Sequence, residues 1–341
     1  MRSYKNLSPD ERQDWLAARG EPPYRGRQIE EWLYQRWIVT FADMTNLPKA
    51  LREALDAEFA AFSLRCVQTL TATDGTRKFL FSLADGETIE TVLIPAPRRN
   101  TVCISTQVGC PVRCVFCASG QGGFVRDLRP SEIMDQVIFA CRELGARVNN
   151  LVVMGMGEPL LNLDNLLPAL DAICDPEKIG LGARHITIST SGIVPGIRRL
   201  AALGRQWNLA LSLHAATDEP RSRLIPAHHR YPLREVLDAC REYREKSSRM
   251  VTLEYALIRG QNDGGGDLAA LAGVARDLRA KVNLIPYNPT GSGKFTAPDR
   301  GAVRRFADAL IQKGVQLSVR REMGTDIQAA CGQLRRAAEG S

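Results

Sequence analysis

Asn150-Leu151-Val152-Val153-Met154-Gly155-Met156-Gly157-Glu158-Pro159 is the stretch that decides the architecture of this chain. From Asn150 to Met154 it is an apolar, β-rich run, and the glycines and proline that follow end it in a turn. Runs of the same kind recur at His185–Ser189, Leu209–Leu213, Met250–Ile258, Val282–Ile285 and Gln316–Val319. Helical patterns lie between them, for example Ser131–Leu144, Leu233–Glu245 and Asp299–Gln312. Such alternation predicts an α/β fold, a parallel sheet with helical crossovers. Functional side chains should then gather at the C-terminal ends of the strands. Gly155–Pro159, Thr190–Gly192, His214 and Pro286–Pro289 all occupy such ends.

Upstream, the period changes twice. Residues 1–62 read as a small helical module. Ser8-Pro9-Asp10-Glu11 is a capping box with proline at the first helical position. A second helical pattern at Arg27–Trp37 puts Ile29, Trp32, Leu33 and Trp37 on one stripe, and a third covers Lys49–Phe59. Residues 63–100 have period two, with short runs at Val67–Thr71, Lys78–Ser82 and Glu90–Ile94 parted by the turn dipeptides Asp74-Gly75 and Asp85-Gly86. They read as a short β extension, which a further run at Val102–Ser105 leads into a core over 101–336.

The 341 residues suffice for one domain of about 200–250 residues and a smaller module. No run of about 18 apolar residues exists, so no membrane span is expected. The opening MRSYKNLSPDERQDW lacks the apolar stretch of a secretory signal, and a cytoplasmic protein is the expectation. The net charge of +7 suits an acidic partner such as nucleic acid, though a solvated basic surface explains it equally well. The first sixty residues hold nine Lys/Arg against ten Asp/Glu, so the module is not itself a basic arm.

Nine cysteines are unevenly placed, with four between Cys103 and Cys117. In a reducing compartment such a group signals metal or redox chemistry rather than disulfides. Cys110-Pro-Val-Arg-Cys114-Val-Phe-Cys117 is a C-x3-C-x2-C loop with an aromatic before the last cysteine. Three thiolates can bind three irons of a [4Fe–4S] cluster and leave the fourth iron open. The alternative is a zinc site with Cys103 as fourth thiolate, but structural zinc more often uses two close cysteine pairs. The Met154–Pro159 segment, one βα unit later, resembles the glycine-rich segment of radical S-adenosylmethionine (SAM) barrels. Glycines there let backbone groups approach a ligand closely.

Longer segments extend the likeness. Glu90-Thr-Val-Leu-Ile-Pro95, Cys103-Ile-Ser-Thr-Gln-Val-Gly-Cys110 and Met154-Gly-Met-Gly-Glu-Pro-Leu-Leu-Asn162 are followed by Ser189-Thr-Ser-Gly-Ile-Val-Pro195 and Leu211-Ser-Leu-His-Ala215. Asn283-Leu-Ile-Pro-Tyr-Asn-Pro289 and Ala329-Ala-Cys-Gly-Gln-Leu334 complete the set. In this order and spacing they resemble the RlmN/Cfr family of radical SAM RNA methyltransferases over residues 5–336. The resemblance implies a partial (β/α)6 radical SAM barrel with a small N-terminal helical domain that helps hold RNA. It implies a [4Fe–4S] cluster on Cys110, Cys114 and Cys117, and SAM, two per turnover, lined by Gly157, Glu158, Ser189, Ser212, Leu213, His214 and Asn288. It makes Cys331 the methyl-carrying cysteine, Cys103 the resolving cysteine that forms a transient disulfide with it, and Glu90 a proton acceptor. The implied substrate is 23S rRNA, with tRNA as a second one, and the implied reductant is a donor such as flavodoxin. A monomer that does not engage membranes is expected. The sequence departs from the family at Pro111-Val-Arg113, where Ala-Leu-Asn is commoner, at Ala118-Ser-Gly-Gln-Gly-Gly123 and at Gly324-Thr-Asp-Ile-Gln328.

Two distant cysteines make chemical sense for such a reaction. An amidine carbon of adenine, C2 or C8, has no lone pair with which to attack a methyl group. A protein thiol can take the methyl first and deliver its carbon as a radical, and a second thiol must then break the tether. Alone, Cys331 would be read as a small apolar residue; Cys66, Cys141, Cys174 and Cys240 are read that way. RNA would present a flipped adenine and contact Arg126, Arg129, Arg221, Arg223, Arg320 or Arg321. C2 methylation is the first reading and Cfr-type C8 methylation, with antibiotic resistance, the second. A non-catalytic, metal-stabilised RNA-binding protein is the reading from another class.

Overall fold

The computed structural model describes residues 1–97, 99–226, 230–290 and 293–335. Residue 336, the expected end of the core, lies outside the described residues. The capping box at Ser8 forms as its sequence requires: the Ser8 hydroxyl accepts from the Glu11 N–H at 3.2 Å, and Glu11 Oε2 accepts from the Ser8 N–H at 2.6 Å. It opens a helix over Pro9–Ala17. The pattern at Arg27–Trp37 is split. An α-helix over Tyr24–Glu30 widens into a π-helical turn at Glu31–Gln35, burying Ile29 and Leu33 and leaving Trp32 and Trp37 half-buried. A helix over Lys49–Glu58 buries Leu51 and Leu55.

Lys5 pins this module to the core. Its ammonium lies 2.7 Å from Asp135 Oδ1 with both side chains fully buried, and Asp135 belongs to the long helix Pro130–Leu144. The other oxygen of Asp135 accepts the Ser63 N–H at 2.6 Å. Loss of either partner would strand a buried charge, at a cost of about 3–5 kcal/mol.

Among the described residues ten strands form one mixed sheet. Arg65–Thr71, Arg77–Ser82 and Thr88–Ile94 are antiparallel, and the last pairs antiparallel with Thr101–Cys103. The segment that reads as a separate extension is thus hydrogen-bonded into the core sheet. From Thr101–Cys103 the strands run parallel and in chain order: Asn150–Val153, Ile186–Thr190, Asn208–Ser212, Thr252–Leu257, Lys281–Pro286 and Leu317–Val319. Helices cross over between each successive pair, six crossovers among the described residues. The outermost strands are Arg65–Thr71, which carries a bulge between Cys66 and Gln68, and the three-residue Leu317–Val319.

The sheet is open but strongly curved. Strands lie about 4.8 Å apart, so Met154 and Arg320, five strand spacings apart, would be separated by roughly 24 Å on a flat sheet. Arg320 Nη1 is 4.0 Å from Met154 Sδ. The concave face therefore encloses a space, as a partial (β/α)6 barrel does, and the strand ends converge on it. No helix among the described residues is long and apolar enough to cross a membrane.

Candidate active site

The three cysteines of the C-x3-C-x2-C loop sit between two short strands, Gln107–Gly109 and Phe124–Asp127, that pair as a hairpin. Backbone bonds fasten the loop on three sides: Cys110 N–H to Gly123 O at 2.8 Å, Val115 N–H to Leu224 O at 3.1 Å, and Ala118 N–H to Gly332 O at 2.8 Å. Gly109 has φ +75°, and a Cβ there would fall 1.8 Å from the Gly123 carbonyl oxygen. That position admits no side chain. All three thiols are free and line one cavity. Burial pushes the Cys110 thiol up to about 12, against N–H groups of Val112 and Arg113 that favour the thiolate. Burial, then the charges of Cys117 and Cys110, raises Cys114 well above the usual thiol range. Alone, such thiols stay protonated. A bound cationic group would displace those protons, and the donors fit one.

They do not fit single-ion zinc. Among the described residues no three His, Cys, Asp or Glu side chains converge on a point one metal ion could hold. Cys103, the fourth thiolate of that alternative, does not line the cavity. It lies behind, buried, where Cys331 and Arg320 are the charges it feels; burial pushes its thiol up to about 12.

Opposite the loop, Gly157 has φ +106°, and a Cβ would stand 2.7 Å from the Gln107 side chain. Glu158 is buried, with Oε2 accepting from the Ser191 N–H at 2.7 Å and Oε1 from the Leu160 N–H at 3.2 Å. Burial raises its carboxyl, and those N–H groups pull it back. Ser189 and Ser212, on adjacent strands, place their hydroxyls 3.2 Å apart. His214 is left-handed at φ +55°, and its Nδ1 accepts the Ala256 N–H at 3.0 Å. Burial and the charge of Arg221 push it down to about 3, so the imidazole is neutral with its proton on Nε2. Asn288 Nδ2 donates to the Cys331 carbonyl at 3.3 Å, which ties the end of the Lys281–Pro286 strand to the Cys331 segment.

Of the residues singled out from sequence, the cavity collects Cys110, Cys114, Cys117, Gly157, Glu158 and Ser189, and with them Ser212, His214, Asn288 and Cys331. Leu213 is outside the lining, buried, with its N–H donating to the Glu254 carbonyl of the next strand at 3.0 Å. Glu90 is outside the lining, ion-paired with Lys78.

Arg320 enters the sequence reading as a candidate RNA contact, and Glu254 does not enter it at all. Both line the cavity, and Arg320 is the one Lys or Arg among the described lining residues. The charge of Cys331 raises Arg320, while Arg320 in turn opposes the burial that raises Cys331. Arg221 is likewise no surface contact. It is buried and donates to the carbonyls of Ser191 at 2.5 Å, Leu213 at 3.2 Å and Ser212 at 3.3 Å, bracing the strand ends. Arg126 is held by Asp85 at 2.5 Å and Glu132 at 2.9 Å. Arg129, Arg223 and Arg321 are exposed.

Residues 104–272 match the radical SAM superfamily, and residues 4–60 match the ribosomal RNA large subunit methyltransferase N-terminal domain. A probable dual-specificity RNA methyltransferase RlmN of Geobacillus kaustophilus is 47% identical over 336 residues, covering 98% of this chain and 92% of its own. Its counterpart in Symbiobacterium thermophilum is 48% identical over 340 residues, covering 98% and 91%. This chain belongs to the RlmN family. Among solved structures, a radical SAM methyltransferase from Sphaerobacter thermophilus matches with a TM-score of 0.95 and 44% identity over 98% of this chain and 99% of its own. As radical SAM proteins, RlmN family members use a [4Fe–4S] cluster and SAM. The free three-thiol loop and the glycine-lined wall opposite it are a donor set and a cradle suited to both.

Proposed function

We propose that this radical SAM RNA methyltransferase methylates C2 of an adenosine in the peptidyl-transferase centre of 23S rRNA, and a tRNA adenosine as second substrate, through a methylated cysteine and a covalent RNA intermediate. The observation that carries the reading is the pairing of Cys331 and Cys103 beside Arg320, at the cavity the three-cysteine loop lines. Two thiols beside one cation are what a methyl carrier and its resolving partner require, since each acts as a thiolate.

In this reading Cys110, Cys114 and Cys117 hold the cluster, and Gly157, Glu158, Ser189, Ser212, Leu213, His214 and Asn288 hold SAM. Together the two groups supply a transferable methyl and a hydrogen-abstracting radical. Neutral His214 offers an N–H donor, and Glu158 is fixed by its backbone bonds before any ligand arrives. Cys331 accepts the methyl on its sulfur and later carries the substrate as a thioether. The Cys103 thiolate then attacks that sulfur: the S–S bond forms as the carbon–sulfur tether breaks, and the bonding pair leaves with the exocyclic carbon, which takes up a proton to become the methyl group. Glu90 takes the ring proton. Residues 1–62 help hold RNA, 63–100 carry Glu90, and the core from 101 onward houses the chemistry. The reading carries with it a cytoplasmic monomer fed by a reduced donor such as flavodoxin.

Nucleoside mass spectrometry of RNA incubated with the loaded enzyme tests the proposal, and 2-methyladenosine is expected. An 8-methyladenosine product would move the enzyme to Cfr-type chemistry. No methyladenosine, with zinc in place of iron and sulfide, would leave a metal-stabilised RNA-binding protein.

A further inference from the structure

Both carboxylate oxygens of Glu90 are taken. Oε1 lies 2.8 Å from the Lys78 ammonium, the two side chains being 8% and 10% exposed. Oε2 accepts the backbone N–H of Arg335 at 2.8 Å. The same ammonium donates to the Gln328 carbonyl at 3.2 Å. Gln328 and Arg335 stand on either side of Cys331 in the chain. One carboxylate therefore holds both legs of the loop that presents Cys331, one leg directly and the other through Lys78.

The loop carries one turn of its own, Gln333 N–H to the Ala330 carbonyl at 3.1 Å with Gln333 Oε1 accepting the Ala330 N–H at 3.2 Å, and its ends are held from outside. Gln328 is left-handed at φ +53°, a conformation that non-glycine residues adopt only under outside constraint. No helix or strand is formed from Gln328 to Arg335. The clamp, by contrast, is rigid. Lys78 stands opposite Val92 and Leu80 opposite Glu90 on neighbouring antiparallel strands, which makes Lys78 and Glu90 diagonal neighbours on one face.

We propose that Lys78 is a positioning residue for the methyl-carrying loop, coupling the charge on Glu90 to the closed position of Cys331. The proposal rests on the reading of Glu90 as proton acceptor and Cys331 as carrier. While Glu90 is charged, Lys78 is balanced and the loop is closed. Once Glu90 has taken the ring proton, the ammonium loses its counter-charge and the Arg335 N–H a strong acceptor. The loop then keeps only its bonds to the cavity side, Ala118 N–H to the Gly332 carbonyl at 2.8 Å, Asn288 to the Cys331 carbonyl at 3.3 Å, Gln333 to the Pro289 carbonyl at 2.8 Å and Ser119 to the Leu334 carbonyl at 2.5 Å, and its two ends are loosened. The carrier is thereby held until the substrate has given up its proton, and released when the RNA is ready to leave.

Hydrogen–deuterium exchange on the cluster- and SAM-loaded enzyme, without RNA, reads the loop directly through peptides spanning 328–335. Lys78→Met and Glu90→Gln should each raise exchange there by about tenfold or more while the Pro130–Leu144 helix is unchanged; Lys78→Arg should keep the loop protected. The double variant Lys78→Met, Glu90→Leu leaves no lone buried charge and should still exchange fast. Wild-type exchange in Lys78→Met, or protection regained in the double variant, overturns the proposal. RNA turnover separates this from the underlying reading. Normal product from Glu90→Gln would remove Glu90 as proton acceptor, and with it the coupling, whatever the exchange shows.

Discussion

A cysteine that follows two alanines, as Cys331 does, packs well as a small apolar group, and nothing within its own segment says otherwise. Its neighbours distinguish it: a half-buried arginine and a buried thiol contributed by other parts of the chain. The two cysteines should therefore fail differently. Cys331→Ala should block the reaction at the outset, because no thiol accepts the first methyl. Cys103→Ala should proceed to the tethered product and stop, giving a covalent protein–RNA band on denaturing gels that collapses on nuclease treatment. The double variant should give none. Absence of that band in Cys103→Ala, with iron and sulfide normal and SAM supplied, would sink the carrier mechanism. At this scale the sequence is partly legible. Cys331, Cys103 and Glu90 are singled out through family resemblance, not through any local property. That Arg221 and Lys78 are buried and Arg320 lines the cavity is not legible, because an enclosed arginine or lysine looks the same in sequence as a solvated one until its partners are known.

The hairpin that carries the cluster loop shows what is hard to read at the scale of elements. Its strands, Gln107–Gly109 and Phe124–Asp127, are too short to establish a period and are split by the cysteines they frame. The long apolar runs of the parallel sheet, by contrast, are found within a residue or two, because burial on both faces leaves a continuous signal. The antiparallel run from Arg65 to Ile94 was legible as strands but not as part of the same sheet, since period two reports a half-buried face and says nothing of the partner. Gly109 gives this hairpin a sharp test. In Gly109→Ala the new methyl meets a backbone carbonyl that cannot swing aside, so the loop must distort. In Gly123→Ala, also left-handed but with open space around its Cβ, only the backbone penalty of about 1–2 kcal/mol remains. After anaerobic reconstitution Gly109→Ala should retain less than about half the iron and sulfide of the parent, while Gly123→Ala stays near full loading. Full loading of Gly109→Ala would show that the hairpin does not set the cluster loop.

Over the whole molecule, the net charge of +7 does not translate into free phosphate contacts. Of the six arginines picked out for RNA, Arg126 is ion-paired, Arg221 is buried, and Arg320 faces the cavity. Three exposed ones remain, Arg129, Arg321 and Arg223, the last in a solvent-exposed pair with Glu219 at 3.0 Å that a phosphate can displace. The log–log dependence of RNA affinity on salt should then have a slope of roughly −2 to −3, against about −4 to −5 if all six took part. Binding titrations across a range of potassium chloride decide it, and a slope steeper than about −4 would mean that further cations, such as those of the N-terminal module, reach the RNA.

Among the described residues the open sheet ends in two edge strands, Arg65–Thr71 and Leu317–Val319, with no further strand paired outside them. Such edges invite a second chain to anneal alongside. One edge is only three residues long, and the other is interrupted by its bulge and faced with exposed Arg65, Gln68, Thr69 and Thr71. Both are poor templates for adding a strand. A barrel left unclosed is in this way guarded against the fibrous aggregation that an unclosed sheet would otherwise risk.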